Sequence, residues 1–105
     1  MTGEAKSTVI VRNNAEAQRF EAVINGLLCH LDYRLDGDVL VVHHTEVPRA
    51  LEGRGIAAQL VRAAIDHARH ESLRIAPHCP YVRSYVRRHP ETHDILADAP
   101  EGRPD

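Results

Sequence analysis

A chain of 105 residues, 43% hydrophobic and 27% charged, has the size and composition of one globular domain. The formal net charge of −2, with three Tyr, one Phe and no Trp, disfavours a nucleic-acid-binding surface, because such surfaces are basic and commonly stack bases on aromatic rings. Two cysteines are too few for a disulfide scaffold, and the apolar runs are all shorter than the ~20 residues of a membrane span, so we expect a soluble, cytoplasmic protein that binds neither nucleic acid nor membrane.

The first half of the chain predicts an antiparallel meander of four strands. Alternating or β-branched runs are separated by turn-forming residues, of which Asn25-Gly26 is the strongest hairpin signal. Asn13-Asn14 is predicted to end the first strand, and residues 36–38 make the last turn. The predicted strands are residues 8–12, 18–24, 27–35 and 39–44.

The hydrophobic period changes in the second half of the chain. Apolar residues recur at helical spacing from 55 to 71, which predicts a long amphipathic helix. Residues 73–76 predict a short strand that returns parallel to residues 39–44. Pro80 then starts a second helix that runs to about residue 89, since proline is favoured at a first helical position.

These elements predict an α/β (α+β) fold made of a four-stranded antiparallel meander, a long helix, a short parallel strand and a second helix. We expect one domain at residues 8–96, with flexible ends at residues 1–7 and 97–105, because both ends are polar and the second contains two prolines.

The junction of strand, glycine turn and long helix carries the clearest functional signal. Gly53 and Gly55 precede the helix, so backbone N–H groups are exposed at the positive end of its dipole. That geometry suits a phosphate or pyrophosphate. The alternative is a plain glycine-rich connection before a core helix.

Four sequence blocks resemble the GCN5-related N-acetyltransferases, in particular their minimal single-domain subfamily. Residues 53–57 (Gly-Arg-Gly-Ile-Ala) resemble the family's acyl-CoA motif, Gln/Arg-x-x-Gly-x-Gly/Ala, except that Glu52 stands at its first position. The other blocks are 44–48 (His-Thr-Glu-Val-Pro), 77–82 (Pro-His-Cys-Pro-Tyr-Val) and 88–91 (Arg-His-Pro-Glu).

The resemblance implies that the protein binds acetyl-CoA as a co-substrate. The pantetheine arm would lie in a slot between Thr45 and Val47 on one side and residues 75–79 on the other. The pyrophosphate loop would consist of Gly53, Arg54, Gly55, Ile56 and Ala57. Arg83 and Arg87 recur on the second helix and would meet the 3′-phosphate of CoA or an acidic partner, unless they form only a solvated helix face.

Four side chains are candidates for catalysis. Cys79 precedes Pro80 at a helix start, where the dipole favours thiolate; it would carry the acetyl group, line the acyl pocket, or be an inert cysteine. Glu46 and His44 end the central strand and are candidate bases, or a solvent-facing pair. Tyr85 is a candidate acid, or a core aromatic residue.

The leading interpretation is an acetyl-CoA-dependent N-acetyltransferase that modifies a small amine, or a protein lysine or N-terminus. The alternative is a CoA-binding regulatory module with little catalysis. We expect a monomer or weak homodimer whose acceptor cleft is open or is completed by a partner. No Cys/His spacing matches a metal site, although His67 and His70 lie one helical turn apart.

Overall fold

The computed structural model describes residues 9–97, so the predicted flexible ends lie outside the described residues except for Ala97. Within residues 9–97, two short 3-10 helices, Arg49–Leu51 and Pro90–Ile95, accompany the main elements. The main elements are strands β1 (Arg12–Asn14), β2 (Arg19–Ile24), β3 (Leu27–Asp36), β4 (Val39–Glu46) and β5 (Arg74–Pro77), and helices α1 (Ile56–His70) and α2 (Pro80–Arg88).

The strands form one sheet in the order β1-β2-β3-β4-β5. Pairing is antiparallel from β1 to β4, and β5 is parallel to β4. The predicted architecture of meander, long helix, parallel strand and second helix is therefore confirmed. The strongest local signal corresponds to a turn in the structure. Asn25 and Gly26 take the positive φ angles of +54° and +78° that a tight hairpin turn requires.

The position of β1 differs from the prediction. Asn13 and Asn14, predicted as a turn, are strand residues paired with Phe20 and Arg19, and the turn follows at residues 15–18. Tertiary bonds account for the difference, because the Tyr33 hydroxyl donates to Asn13 Oδ1 at 2.6 Å. Such a contact outweighs the local turn preference of asparagine. It joins residues that are distant in sequence, so a local sequence pattern does not predict it.

The segment before β1 packs beside α1 instead of pairing as a strand. Val9 and Val11 are half-buried there, and the Val9 N–H donates to Gln59 Oε1 at 3.0 Å. The predicted strand at residues 8–12 is thus correct only at Arg12, and residues 9–11 form a segment that packs on the β1 side of the helix.

Both helices pack on the same face of the sheet. This face carries Phe20, Leu31, Leu40 and Val42, all almost completely buried, together with the inward-facing residues of α1 and α2. Because side chains alternate along a strand, the opposite face carries charged and imidazole side chains on β2, β3 and the end of β4, beside Val23, Val39 and Val41. The sheet thus has one helix-covered apolar face and one face that is polar at the end of β4, which decides where each candidate site residue lies.

The last described segment closes the outer edge of β5. Ile95 is buried, Leu96 forms a parallel bridge with Ile75, and the Ala97 N–H donates to the Ile75 carbonyl at 2.8 Å. Arg69 of α1 holds this segment through Asp94 at 2.7 Å. Among residues 9–97, no helix has the length and apolar character needed to cross a bilayer.

Replacing Leu60 tests the position of the core. Leu60 is 0% exposed, so Leu60→Ala should lower the free energy of unfolding by about 2–5 kcal/mol through lost burial and the cavity left behind. Leu35→Ala is the matched control, because Leu35 is 53% exposed and should change stability by only about 0.5 kcal/mol. Urea denaturation measures both, and equal losses would contradict this packing.

Candidate functional site

The pairing of β4 with β5 ends at Val42, and we call the unpaired stretch of β4 beyond it, with the chain that follows β5, the β4–β5 gap. The last register pair is Val42 with Pro77, and the Val42 carbonyl then accepts two hydrogen bonds, from the N–H groups of His78 (2.9 Å) and Cys79 (3.0 Å). β4 continues to Glu46 while paired with β3. The chain after β5 has by then turned into α2, so the end of β4 has no backbone partner on its β5 side within the described residues.

A β-bulge in β4 lies at the same point. Asp32 pairs with His44 but Tyr33 pairs with Val42, so His43 is the extra residue. A bulge bends and twists its strand locally. Here it coincides with the end of β4–β5 pairing, which is consistent with β4 turning away from β5 beyond Val42.

The glycine turn leads directly into α1. Gly53 and Gly55 have φ angles of +85° and +74°, a region that favours glycine. Gly55 is the N-cap and no side chain caps the helix, so the first-turn N–H groups of Ile56, Ala57 and Ala58 have no intrahelical acceptor. With the helix dipole behind them, these donors form an anion-binding geometry.

The charged residues near the glycine turn lie in solvent. Glu52 and Arg54 are both exposed, so the carboxylate at the unusual first motif position has room to turn away from an anion. Arg54 also lines a groove of about 860 Å³ that runs along the β1 side of α1 and includes Arg62 and Asp66. Arg62 was not among the predicted site residues, because a position on the polar side of a helix indicates only solvent exposure.

Cys79 lies at the N-cap of α2 and faces the gap from the helix-covered side. It is 5% exposed, and its Sγ lies 3.5 Å from Thr45 Oγ1. Thr45 is the register partner of buried Leu31, which places both Thr45 and the thiol on the apolar face. Val47, just after β4, is half-buried against the same core.

Arg83 fixes the turn that holds Cys79. Its Nη1 donates to the carbonyls of His78 at 2.8 Å and Pro77 at 3.5 Å. Arg87, predicted with it as a phosphate contact, lies in the last turn of α2, at the far end of the helix from Cys79. The two arginines therefore occupy different environments.

His44 and Glu46 lie on the opposite, polar face of β4. The His44 Nε2 and a Glu46 carboxylate oxygen are 3.0 Å apart, and both side chains are about half exposed, at 51% and 56%. Since Thr45 lies between them in sequence, its side chain points the other way. The structure thus brings Cys79 to Thr45 and His44 to Glu46, on opposite sides of the same strand end.

The tyrosines of α2 are largely enclosed. Tyr85 is 5% exposed in the core, and its ring stacks on His89 at a centroid distance of 3.9 Å. Burial raises the pKa of the Tyr81 hydroxyl, so that group keeps its proton at neutral pH. The assignment of Tyr85 as an acid remains a prediction.

The remaining candidate groups are not arranged for chemistry. Cys29 is completely buried, and this burial raises the pKa of its thiol, which is typical of a structural cysteine. Within residues 9–97, no cluster of three or more His, Cys, Asp or Glu side chains is arranged to hold a metal ion.

Comparison with known proteins decides the family. Residues 19–95 match the family model described as GCN5-related N-acetyl-transferase. The chain belongs to the GCN5-related N-acetyltransferase family. The matched range starts at β2 and ends at Ile95, so it includes the gap, the glycine turn and both helices of this N-acetyltransferase-family domain.

Individual relatives cover most of the chain. Protein NATD1 of Xenopus tropicalis is 36% identical over 92 residues, covering 83% of this chain and 83% of its own length. Protein NATD1 of Homo sapiens is 38% identical over 85 residues, covering 76% and 74%. The solution structure of a Staphylococcus aureus protein described as GCN5-like superimposes with a TM-score of 0.70 at 22% identity, over 90% of this chain and 94% of that one, and so shares the fold.

Replacing Arg83 tests the assignment of its guanidinium to the turn at residues 77–79. Arg83→Gln should weaken the bond to the His78 carbonyl by about 0.5–1 kcal/mol and speed amide hydrogen exchange at His78 and Cys79 about two- to fivefold. Arg87→Gln, on the exposed side of the same helix, is the control and should leave these rates unchanged. Unchanged exchange in both variants would refute the assignment.

Proposed function

We propose that this protein is an acetyl-CoA-dependent N-acetyltransferase that transfers acetyl to a primary amine of a small molecule or of a protein. The observation that carries the proposal is the β4–β5 gap, bordered by a glycine turn at an uncapped helix start and by Cys79. Membership of the N-acetyltransferase family supports the same reading.

Binding of acetyl-CoA would use the two ends of this arrangement. The thioester arm would enter between Thr45 and Val47 on one side and Cys79 on the other, and its entry would separate Thr45 Oγ1 from Cys79 Sγ, which are 3.5 Å apart. The diphosphate fits against residues 53–57, where glycines allow close approach and the first-turn N–H groups of α1 donate. Arg54 supplies positive charge at this turn.

Arg54 of the glycine turn and Arg62 of α1 fit the charged end of CoA better than Arg83 does. Arg54 and Arg62 line one groove that begins at the glycine turn, whereas the Arg83 guanidinium is occupied by backbone carbonyls. Arg87 remains a candidate contact for the 3′-phosphate or an acidic partner. The exposed position of Glu52 removes the objection that an acidic side chain would repel the diphosphate.

Transfer to an amine requires removal of one proton from the acceptor ammonium before attack. The His44–Glu46 pair is the proposed base, since it lies at the end of β4 and is open to an acceptor. Cys79 approaches the gap from the other side. It would therefore line the acyl pocket, or accept the acetyl group as a thioester before the amine takes it.

A CoA-binding regulatory module is the second candidate. It is favoured by one observation: within the described range, both helices lie on the apolar face, and neither they nor a further strand cover the polar face around His44 and Glu46. An uncovered acceptor side would bind an amine weakly unless the acceptor itself is a protein that covers it.

Calorimetry and a turnover assay distinguish the acetyltransferase from the CoA-binding regulatory module. Titration with acetyl-CoA should give saturable binding, and CoA release should rise in the presence of a productive amine from a panel of small amines and lysine peptides. Binding without release for the whole panel would favour the module. Absence of binding would overturn both candidates.

The glycine turn provides a sharper test with a matched control. Gly55→Ala places a methyl group on a left-handed backbone, which should cost about 1–2 kcal/mol of stability and weaken acetyl-CoA binding by about tenfold or more. Gly37→Ala is the control, because Gly37 has φ +63° in the β3–β4 turn and its added Cβ likewise meets open space. Equal acetyl-CoA affinities in the two variants would exclude this loop as the diphosphate-binding site.

Replacing Cys79 distinguishes the two routes of transfer. After brief incubation with acetyl-CoA, an acetyl adduct seen by intact mass in the native protein should be absent from Cys79→Ala if this thiol carries the acetyl group. Cys29→Ala serves as the control and should keep the adduct. An adduct that persists on Cys79→Ala would exclude a covalent role for Cys79.

A further inference from the structure

Four titratable side chains form a square on the polar face of β3 and β4. His30 and Asp32 alternate along β3, and His44 and Glu46 alternate along β4. The strand register pairs His30 with Glu46 and Asp32 with His44, so every imidazole has a carboxylate beside it along the strand and another across it. We call this group the imidazole–carboxylate square.

Distances within the square show two bonded pairs side by side. His30 Nδ1 lies 2.8 Å from Asp32 Oδ1, and the two imidazole rings are 6.0 Å apart between centroids. The His30–Asp32 pair is the more enclosed, with side-chain exposures of 19% and 25%, against about half for His44–Glu46. The outer pair is thus open to an acceptor, and the inner pair stands behind it.

Charged residues of β1 and β2 continue the alternation beyond the square. Glu21 is the register partner of His30, and Arg19 is the partner of Asp32. A hydrogen bond from Arg19 at 2.7 Å is the main cause that lowers the pKa of Glu21, and Arg12 adds a contact at 3.5 Å. Arg34 follows Asp32 on the same face of β3, so the charged groups around the square are an ionised glutamate and three arginines.

We propose that His30 and Asp32 are positioning residues that set the proton affinity of the His44–Glu46 pair, so that the square acts as one base toward an acceptor ammonium. This proposal rests on the proposed acetyltransferase function. Asp32 faces His44 across the strands and would stabilise its imidazolium, while His30 balances the charge of Asp32.

The proton and electron balance of the step is simple. The acceptor ammonium gives one proton to the His44–Glu46 pair, and the amine nitrogen forms a bond to the acetyl carbon of acetyl-CoA. The carbon–sulfur bond breaks, and the CoA sulfur leaves with the electron pair and takes the second proton from nitrogen. The first proton, held by the square, passes to water before the next turnover.

Replacing Asp32 and replacing His30 should shift the pH dependence of kcat/KM in opposite directions. Asp32→Asn removes a negative charge that faces His44, so the acid limb of the kcat/KM profile should move to lower pH. His30→Gln leaves Asp32 without its bonded partner, so the limb should move to higher pH. For charges on neighbouring strands of a partly exposed sheet face, each shift should be about half to one pH unit.

The experiment measures this profile with acetyl-CoA and a lysine peptide for the native protein, the two variants and the double variant Asp32→Asn/His30→Gln. The double variant should return close to the native limb. His70→Gln, an exposed histidine at the end of α1, is the control and should not move it. A mere structural role would lower activity in both variants without opposite shifts, and that result would overturn the proposal.

Proton NMR titration of the histidine rings gives a second readout that does not need turnover. The His44 midpoint should fall in Asp32→Asn and rise in His30→Gln, and unchanged midpoints in both would overturn the proposal. If the His44 midpoints shift as expected but no acetyl transfer occurs, the proposed function and the catalytic role of the square are both refuted. If acetyl transfer occurs but the acid limb of the kcat/KM profile does not move in either variant, only the role of the square is refuted.

Discussion

The Val42 carbonyl is the constraint on which the site depends. It accepts the N–H groups of His78 and Cys79, and these are the last backbone bonds between β4 and the chain that follows β5. They end the parallel ladder, turn the chain toward Pro80, and place Cys79 at the start of α2. The bulge at His43 lies one residue beyond, where β4 continues with β3 alone. The same two hydrogen bonds therefore end the β4–β5 pairing and place the Cys79 thiol.

Side-chain alternation along the end of β4 divides the site into two halves. Thr45 points to the apolar face and contacts Cys79, whereas His44 and Glu46 point to the polar face, where they meet His30 and Asp32. An acyl donor held in the gap would thus be approached by a thiol from one side and by a base from the other. The same alternation explains why the polar face can carry a lattice of charges at little cost to the core, since burying those charges among apolar side chains would be expensive.

The fold was predictable because its signals are local. The Asn25-Gly26 turn, the helical period of α1 and the Pro80 helix start are each contained within a few residues, and the structure confirms the elements they predicted. The misplaced β1 depends instead on the distant Tyr33–Asn13 bond. Interactions across the sheet were hidden in the same way: the bulge at His43, the separation of Cys79 from Glu46, and the pairing of Asp32 with His44 follow from strand register, which composition and periodicity do not supply. The family blocks predicted candidate site residues, and the backbone determines which of these candidates lie together.

The central claim is that the β4–β5 gap and the glycine turn together hold the acyl donor. The most direct measurement is a titration of the ¹⁵N-labelled protein with CoA, followed by amide chemical shifts. The claim predicts shifts concentrated at residues 53–58, at Thr45 and Val47, and at His78 and Cys79, with β2 unaffected. Shifts confined to the polar faces of β2 and β3, or none at saturating CoA, would contradict it.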